Sequence, residues 1–188
     1  VYSKNDEKGL VLRGYLAFLD PAKPTVKEAL LMLEELGIEI KVLTGDNEII
    51  TQKICQDVSL SIKGVMTGAQ LDNIGDAELA QLVEKTTIFA RMNPIQKERI
   101  IKTLHKNNHT VGYMGDGIND APSLKAADIG ISVNNGVDIA RESSDIILLQ
   151  KSLMALKDGV LDGRKVFGNI IKYIKMSASS NFGNMISM

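Results

Sequence analysis

The sequence predicts an α/β protein built on a doubly wound, mainly parallel sheet, with one long helix at its C-terminal end. Three observations carry that prediction. Between residues 38 and 149, short apolar runs alternate with stretches of helical periodicity, which is how parallel strands joined through helices read in sequence. Two of the apolar runs break into a turn of Gly and Asp directly before a helix, the local pattern of a ligand-binding sheet edge. From Leu153 the alternation stops and a single amphipathic run takes over.

Taken in order, residues 1–9 are polar, and Leu10 to Leu19 reads as a strand ending at Asp20-Pro21. Pro24-Thr25 opens a helix in which Thr25 caps and Glu28 reaches back. Val26, Ala29, Leu30, Leu33 and Leu36 share one face, and Gly37 ends the helix. Ile38 to Leu43 is the next strand; it runs into Thr44-Gly45-Asp46 and then a helix to about Asp57, which Asp46 is expected to cap. Residues 60–76 read as Gly-rich and irregular, Asp76 to Glu84 as a short helix and Thr86 to Ala90 as a strand. Asn93-Pro94-Ile95-Gln96 carries an N-cap, a first-turn proline and a closing glutamine, so a helix starts there. Thr110 to Met114 is a strand, Ala121 to Ala127 a helix, Asp128 to Val133 a strand, Val137 to Glu142 a helix and Asp145 to Leu149 a strand. The final helix runs from Leu153 to about Lys175. The thirteen residues Met176 to Met188 carry no charge but are too few to span a bilayer, which takes ~20 apolar residues. Lys172 and Lys175 before them suit a cytoplasmic membrane boundary, and a plain amphipathic terminal helix is the alternative.

The chain has 188 residues, 44% of them hydrophobic and 24% charged, enough apolar material for a substantial core. A net charge of −1 gives no support for a nucleic-acid partner. The single cysteine, Cys55, excludes an internal disulfide framework and sits in a helical run, as a buried apolar residue would. No signal peptide is evident, the cytosol is the expected compartment, and the start at Val1 suits a piece of a longer protein. His105 and His109 lack Cys or His partners at metal-ligand spacing and read as structural.

The chemistry concentrates in Gly115-Asp116-Gly117-Ile118-Asn119-Asp120. Asp116, Asn119 and Asp120 bring two carboxylates and an amide to one sheet edge, a set of hard oxygen donors that suits Mg²⁺ held with substrate oxygens. A dinucleotide fingerprint starts similarly, but its third glycine is replaced by Asp120. A simple helix cap is the other alternative, though caps rarely need so many polar side chains. At the other edge, the Thr44 hydroxyl and Gly45 N–H suit a phosphate oxygen. Lys97 lies one turn inside a helix N-terminus, where the dipole does not favour a cation. A nearby anion explains it, and so does a solvated surface lysine.

Asp20-Pro21, Thr44-Gly45-Asp46, Ala90-Arg91-x-x-Pro94-x-x-Lys97 and Gly115-Asp116-Gly117-x-Asn119-Asp120-x-Pro122 together resemble the phosphorylation domain of P-type ATPases, within the haloacid-dehalogenase-like superfamily and its Rossmann-type fold. The tail, including Gly163 to Gly168 and Lys172 to Asn184, is similar to the bacterial magnesium-transporting class. The resemblance implies that Asp116 ligates Mg²⁺, with Asp120 and Asn119 holding the ion's waters and the phosphoryl group. It implies that Lys97, Thr44 and Gly45 bind phosphoryl oxygens, that Asp46 sits on the ATP side, and that Asp20 and Arg91 lie near a hinge to a nucleotide-binding domain. Asn181 and Asn184 would line the path of a transported divalent cation. It implies a core over 1–152, a stalk helix over 153–175 and the start of a transmembrane helix over 176–188. The family's nucleophile lies in a D-K-T-G-T motif that is absent here. The expectation is therefore a soluble fragment, inactive alone, lacking the nucleophile strand. Its partners would be the rest of a pump at the cytoplasmic face of the membrane: that strand, nucleotide-binding and actuator domains, and transmembrane helices. A stand-alone phosphatase using Asp20, or a non-catalytic binding module of the same fold, are the alternatives.

Overall fold

The computed structural model describes Val11, Arg13, Gly14, residues 25–150 and residues 152–186. The expected strand over Leu10 to Leu19 and the Asp20-Pro21 pair lie outside the described residues. In chain order the elements are α1 Thr25–Glu35, β1 Val42–Leu43, α2 Glu48–Asp57, β2 Val65–Thr67, α3 Gly68–Asp72, α4 Asp76–Lys85, β3 Ile88–Ala90, α5 Pro94–Lys106 and β4 Gly112–Met114. A 3-10 turn, Ile118–Asp120, leads into α6 Ala121–Ala126, β5 Ile129–Val133, α7 Asp138–Glu142, β6 Ile146–Leu148 and α8 Leu153–Ile186.

Among the described residues the strands form two parallel three-stranded sheets, ordered β1-β3-β2 and β4-β5-β6. β3 is central and buried at all three residues, so helices cover both its faces. Phe89 joins Met66, Leu71, Leu79, Val83, Ile100 and Leu104 on one face. Ile88 and Ala90 join Leu30, Cys55, Val58 and Leu60 on the other. This is the alternation of a strand buried on two sides. α5 ties the sheets together: Ile100 and Leu104 pack in the first cluster, and Ile101 packs with Tyr113, Leu124 and Ala140 beneath the second sheet. Leu43 of β1 and Val111 just before β4 pack against both clusters. The edge strands β1 and β4 therefore flank the interval that α5 bridges.

Several local expectations change. α1 begins at Thr25, so Thr25 is its first residue rather than its cap. Gly37 does end it, at φ +75°, a left-handed conformation that favours glycine. Residues 60–76, expected to be irregular, contain β2 and α3, because Thr67 bonds Gln70 from its N–H and the Gly68 backbone fits against Arg91 and Gln96. The strand expected from Ile38 is regular only at Val42–Leu43. α8 continues past Lys175 to Ile186, since no glycine or proline interrupts Met176–Asn181. Among the described residues, no helix is long and apolar enough to cross a membrane.

Candidate active site

The site is built from two strand-to-helix edges. At the first, β4 ends at Met114 and the chain turns through Gly115 and Gly117 around the Asp120 carboxylate. A Cβ on Gly115 would lie 2.5 Å from the Asp120 Cβ and 2.8 Å from its Cγ, so this turn requires glycine. The Gly117 N–H donates to Asp120 Oδ2 at 3.2 Å. The Lys97 ammonium and the Tyr113 hydroxyl both donate to Asp120 Oδ1, each at 2.8 Å. Burial alone would raise the Asp120 carboxyl, but Lys97, Tyr113 and the Gly117 N–H outweigh it and hold the group below its ordinary value. Burial first, and then the neighbouring Asp120 charge, push the Tyr113 hydroxyl well above its ordinary value, so it is a permanent donor.

Lys97 is only 9% exposed, which removes the surface-lysine alternative. α5 is firmly placed to present it. Asn93 accepts from the Gln96 N–H and the Gln96 side chain accepts from the Asn93 N–H, completing the expected capping box. The Gln96 amide also donates to the Gly68 carbonyl and to Asp72. The Asp116 carbonyl accepts from the Val137 N–H, which pins the turn to the start of α7. Asn119 sits in the 3-10 turn with its side chain exposed. Asp116 borders a cavity of about 270 Å³ whose walls include Thr25, Val26, Met114 and Leu153. A cleft of about 320 Å³ beside Ile38, Ser61 and Thr87, at the opposite end of the first sheet, holds none of the expected site residues.

At the second edge, the Thr44 hydroxyl donates to Asp46 Oδ2 at 3.0 Å and accepts from the Asp46 N–H at 3.1 Å. Asp46 is therefore not the cap of α2. Asn47 is, accepting from the Ile49 N–H at 2.8 Å. The correction has a local cause: Asp46 is already engaged by Thr44, and the next residue is a good capping side chain. Gly45 lies with its Cβ position 3.6 Å from the Met92 carbonyl. Arg91 has φ +54°, unusual for a side chain of this size, and its N–H donates to the Asp46 carbonyl. Its guanidinium pairs with Glu48, Nε to Oε2 at 2.7 Å. Thr44, Gly45, Asp46 and Arg91 thus form one group, and Lys97, Asp116, Asn119 and Asp120 another, each at the carboxyl end of a parallel sheet.

Tyr113 is the residue the sequence did not flag, because a tyrosine in an apolar strand reads as core. Both histidines are structural, paired with acids. His109 Nε2 lies 2.9 Å from Glu84, and His105 Nε2 lies 2.9 Å from Asp128 but out of hydrogen-bond alignment. Among the described residues, no three His, Cys, Asp or Glu gather as a metal site. A metal here would take its other ligands from water and phosphate, as Mg²⁺ does. Asn181 is exposed on α8, and the side chain of Asn184 lies outside the described residues.

Both edges stand where parallel strands run into helices of an α/β hydrolase fold, and the chain belongs to the haloacid dehalogenase-like hydrolase family, whose model matches residues 4–128. Across its whole length it is 55% identical to magnesium-transporting ATPase, P-type 1, of Escherichia coli K12, of which it covers 21%. A calcium-transporting ATPase of Bacillus subtilis is 36% identical over 97% of the chain, again over 21% of that protein. The chain thus spans about a fifth of the length of these relatives. A solved structure of the catalytic domain of the CPx-ATPase CopB-B, concerned with conformational changes upon nucleotide binding, matches 72% of the chain and 44% of that domain. The TM-score is 0.56 and the identity 27%.

Proposed function

We propose that this chain is the Mg²⁺- and phosphoryl-binding half of the phosphorylation domain of an ATP-driven pump that moves magnesium. The observation that carries this reading is the part-buried pair between Lys97 of α5 and Asp120 of the Gly115–Asp120 turn, in a chain 55% identical throughout to a magnesium-transporting ATPase. The donor set fits Mg²⁺, since both carboxylates of the turn are hard oxygen ligands. Asp116 would ligate the ion, with Asp120 and Asn119 placed to hold its waters. When bound, Mg²⁺ neutralises charge on the transferring phosphoryl group. Lys97 adds a positive charge on the same group once its ammonium turns from Asp120 toward it, and Thr44 with Gly45 binds its remaining oxygens once the Thr44 hydroxyl turns away from Asp46. These are the positioning and charge-stabilising parts that phosphoryl transfer needs.

The sequence holds no D-K-T-G-T, so the nucleophilic aspartate comes from another part of the pump. Among the described residues β1 and β4 are edge strands on either side of α5, an arrangement that suits one inserted parallel strand joining the two sheets. Residues 1–152 are then the phosphorylation-domain part, 153–175 a stalk at the cytoplasmic face of the membrane and 176–188 the start of a transmembrane helix, with Asn181 and Asn184 on the cation path.

The test is acyl-phosphate formation. The chain is incubated with Mg²⁺ and radiolabelled ATP or acetyl phosphate, alone and joined to a relative's D-K-T-G-T segment, with Asp20→Asn in parallel. The expected result is hydroxylamine-sensitive label only when the segment is joined. Label on the chain alone that disappears in Asp20→Asn would overturn the reading in favour of a self-sufficient phosphatase.

A further inference from the structure

We infer that the Tyr113 hydroxyl is a positioning group for this site: it holds Asp120 Oδ1 so that the carboxylate keeps its place when Lys97 turns its ammonium toward a phosphoryl oxygen. The inference rests on the phosphoryl-binding reading above.

The geometry gives Asp120 two donors on one oxygen and one on the other. Oδ1 accepts from both Lys97 and Tyr113 at 2.8 Å, and Oδ2 accepts from the Gly117 N–H at 3.2 Å. A carboxylate oxygen has capacity for two strong bonds, so Oδ1 is full and Oδ2 keeps capacity for a water or an ion. The two donors on Oδ1 differ in kind. Lys97 carries its charge on a flexible four-carbon stem, with three N–H donors of which Oδ1 takes one. Tyr113 is 9% exposed, and its ring is packed among Ile101, Leu124 and Ala140, so its hydroxyl has little freedom to move.

A phosphoryl group drawing Lys97 toward itself would take away one of the two bonds on Oδ1. With Tyr113 in place the carboxylate still has a rigid donor on each oxygen, and the Gly115–Asp120 turn keeps the shape that presents Asp116 and Asn119. Phenylalanine would fill the same space without the bond. A buried tyrosine hydroxyl needs a partner, and here that partner is an acid of the site itself rather than a backbone carbonyl.

Tyr113→Phe removes the hydroxyl and keeps the ring. Two measurements on the 188-residue chain decide the matter. The first is hydrogen exchange of the Gly117 amide without metal, with the amides of Ile100, Ile101 and Ile131 as core controls and Asp120→Ala as the full loss. The second is titration with Mg²⁺ alone, followed through the amide signals of Gly115 and Gly117. The expected result in Tyr113→Phe is Gly117 exchange faster by roughly three- to tenfold and Mg²⁺ affinity weaker by a similar factor, with the core amides unchanged. Gly117 exchange and Mg²⁺ affinity equal to wild type would overturn the inference. So would protection lost evenly across the core, which would make Tyr113 a packing residue only. A wild-type chain that binds no Mg²⁺ would sink the magnesium reading, while the Gly117 exchange would still decide the role of Tyr113.

Discussion

Replacing Lys97 with methionine isolates the charge at the centre of the site. Methionine keeps the apolar stem, so packing along α5 changes little, but Asp120 loses one of its three donors. The side chains of the pair are 11% and 15% exposed, so the interaction is shielded from solvent far more than a surface ion pair. Stranding a fully buried charge costs about 3–5 kcal/mol. Asp120 keeps Tyr113 and Gly117 as donors, which reduces the expected loss to about 1–2 kcal/mol at neutral pH. For a protein of this size that lowers the melting temperature by about 2–8 °C. The pH dependence has a definite sign. The Asp120 carboxyl is held below its ordinary value of 3.8 in the folded chain, so its contribution is fully present above that value and is lost as pH falls through the folded one. The gap between wild type and Lys97→Met should therefore be largest near pH 7 and close as pH drops below about 4. The assay is calorimetric melting of both proteins across that range. Superimposable melting temperatures at neutral pH would refute the idea that this pair is a coupled, desolvated unit.

Further outcomes follow from the same contacts. Gly115→Ala should abolish Mg²⁺-induced shifts in the turn amides while leaving the core amides protected, because the new Cβ lands 2.5 Å from the Asp120 Cβ. Gly68→Ala should destabilise the chain by about 1–3 kcal/mol in urea denaturation, since its Cβ would meet the Arg91 carbonyl at 2.5 Å and the Gln96 side chain at 2.6 Å. Lys41→Met should cost about 1–3 kcal/mol in the same assay, because the Lys41 ammonium donates to the Val83 and Thr86 carbonyls at the end of α4 and both would lose their partner. Mg²⁺ at ten times its dissociation constant should raise stability by about 1.4 kcal/mol, an increment that Asp116→Ala removes.

What the sequence determined by itself is local. The strand–turn–helix edges at Thr44–Asp46 and Gly115–Asp120, the Asn93–Gln96 capping box and the stop at Gly37 are each written within a few adjacent residues, where steric and hydrogen-bonding preferences act without help from the rest of the chain. The family motifs are legible for the same reason. Tertiary structure decided what depends on distant partners. Lys97 was open between surface and site until the fold brought it to Asp120, 23 residues on. Tyr113 reads as core in a strand pattern, because periodicity registers its ring and is blind to where its hydroxyl lands. The short β2 and α3 depend on β3 alongside and on Gln96, which reaches back 28 residues to Gly68. The division of the described strands into two sheets, with β1 and β4 as their edges across α5, is likewise a matter of which strands meet, and spacing along one chain does not encode that.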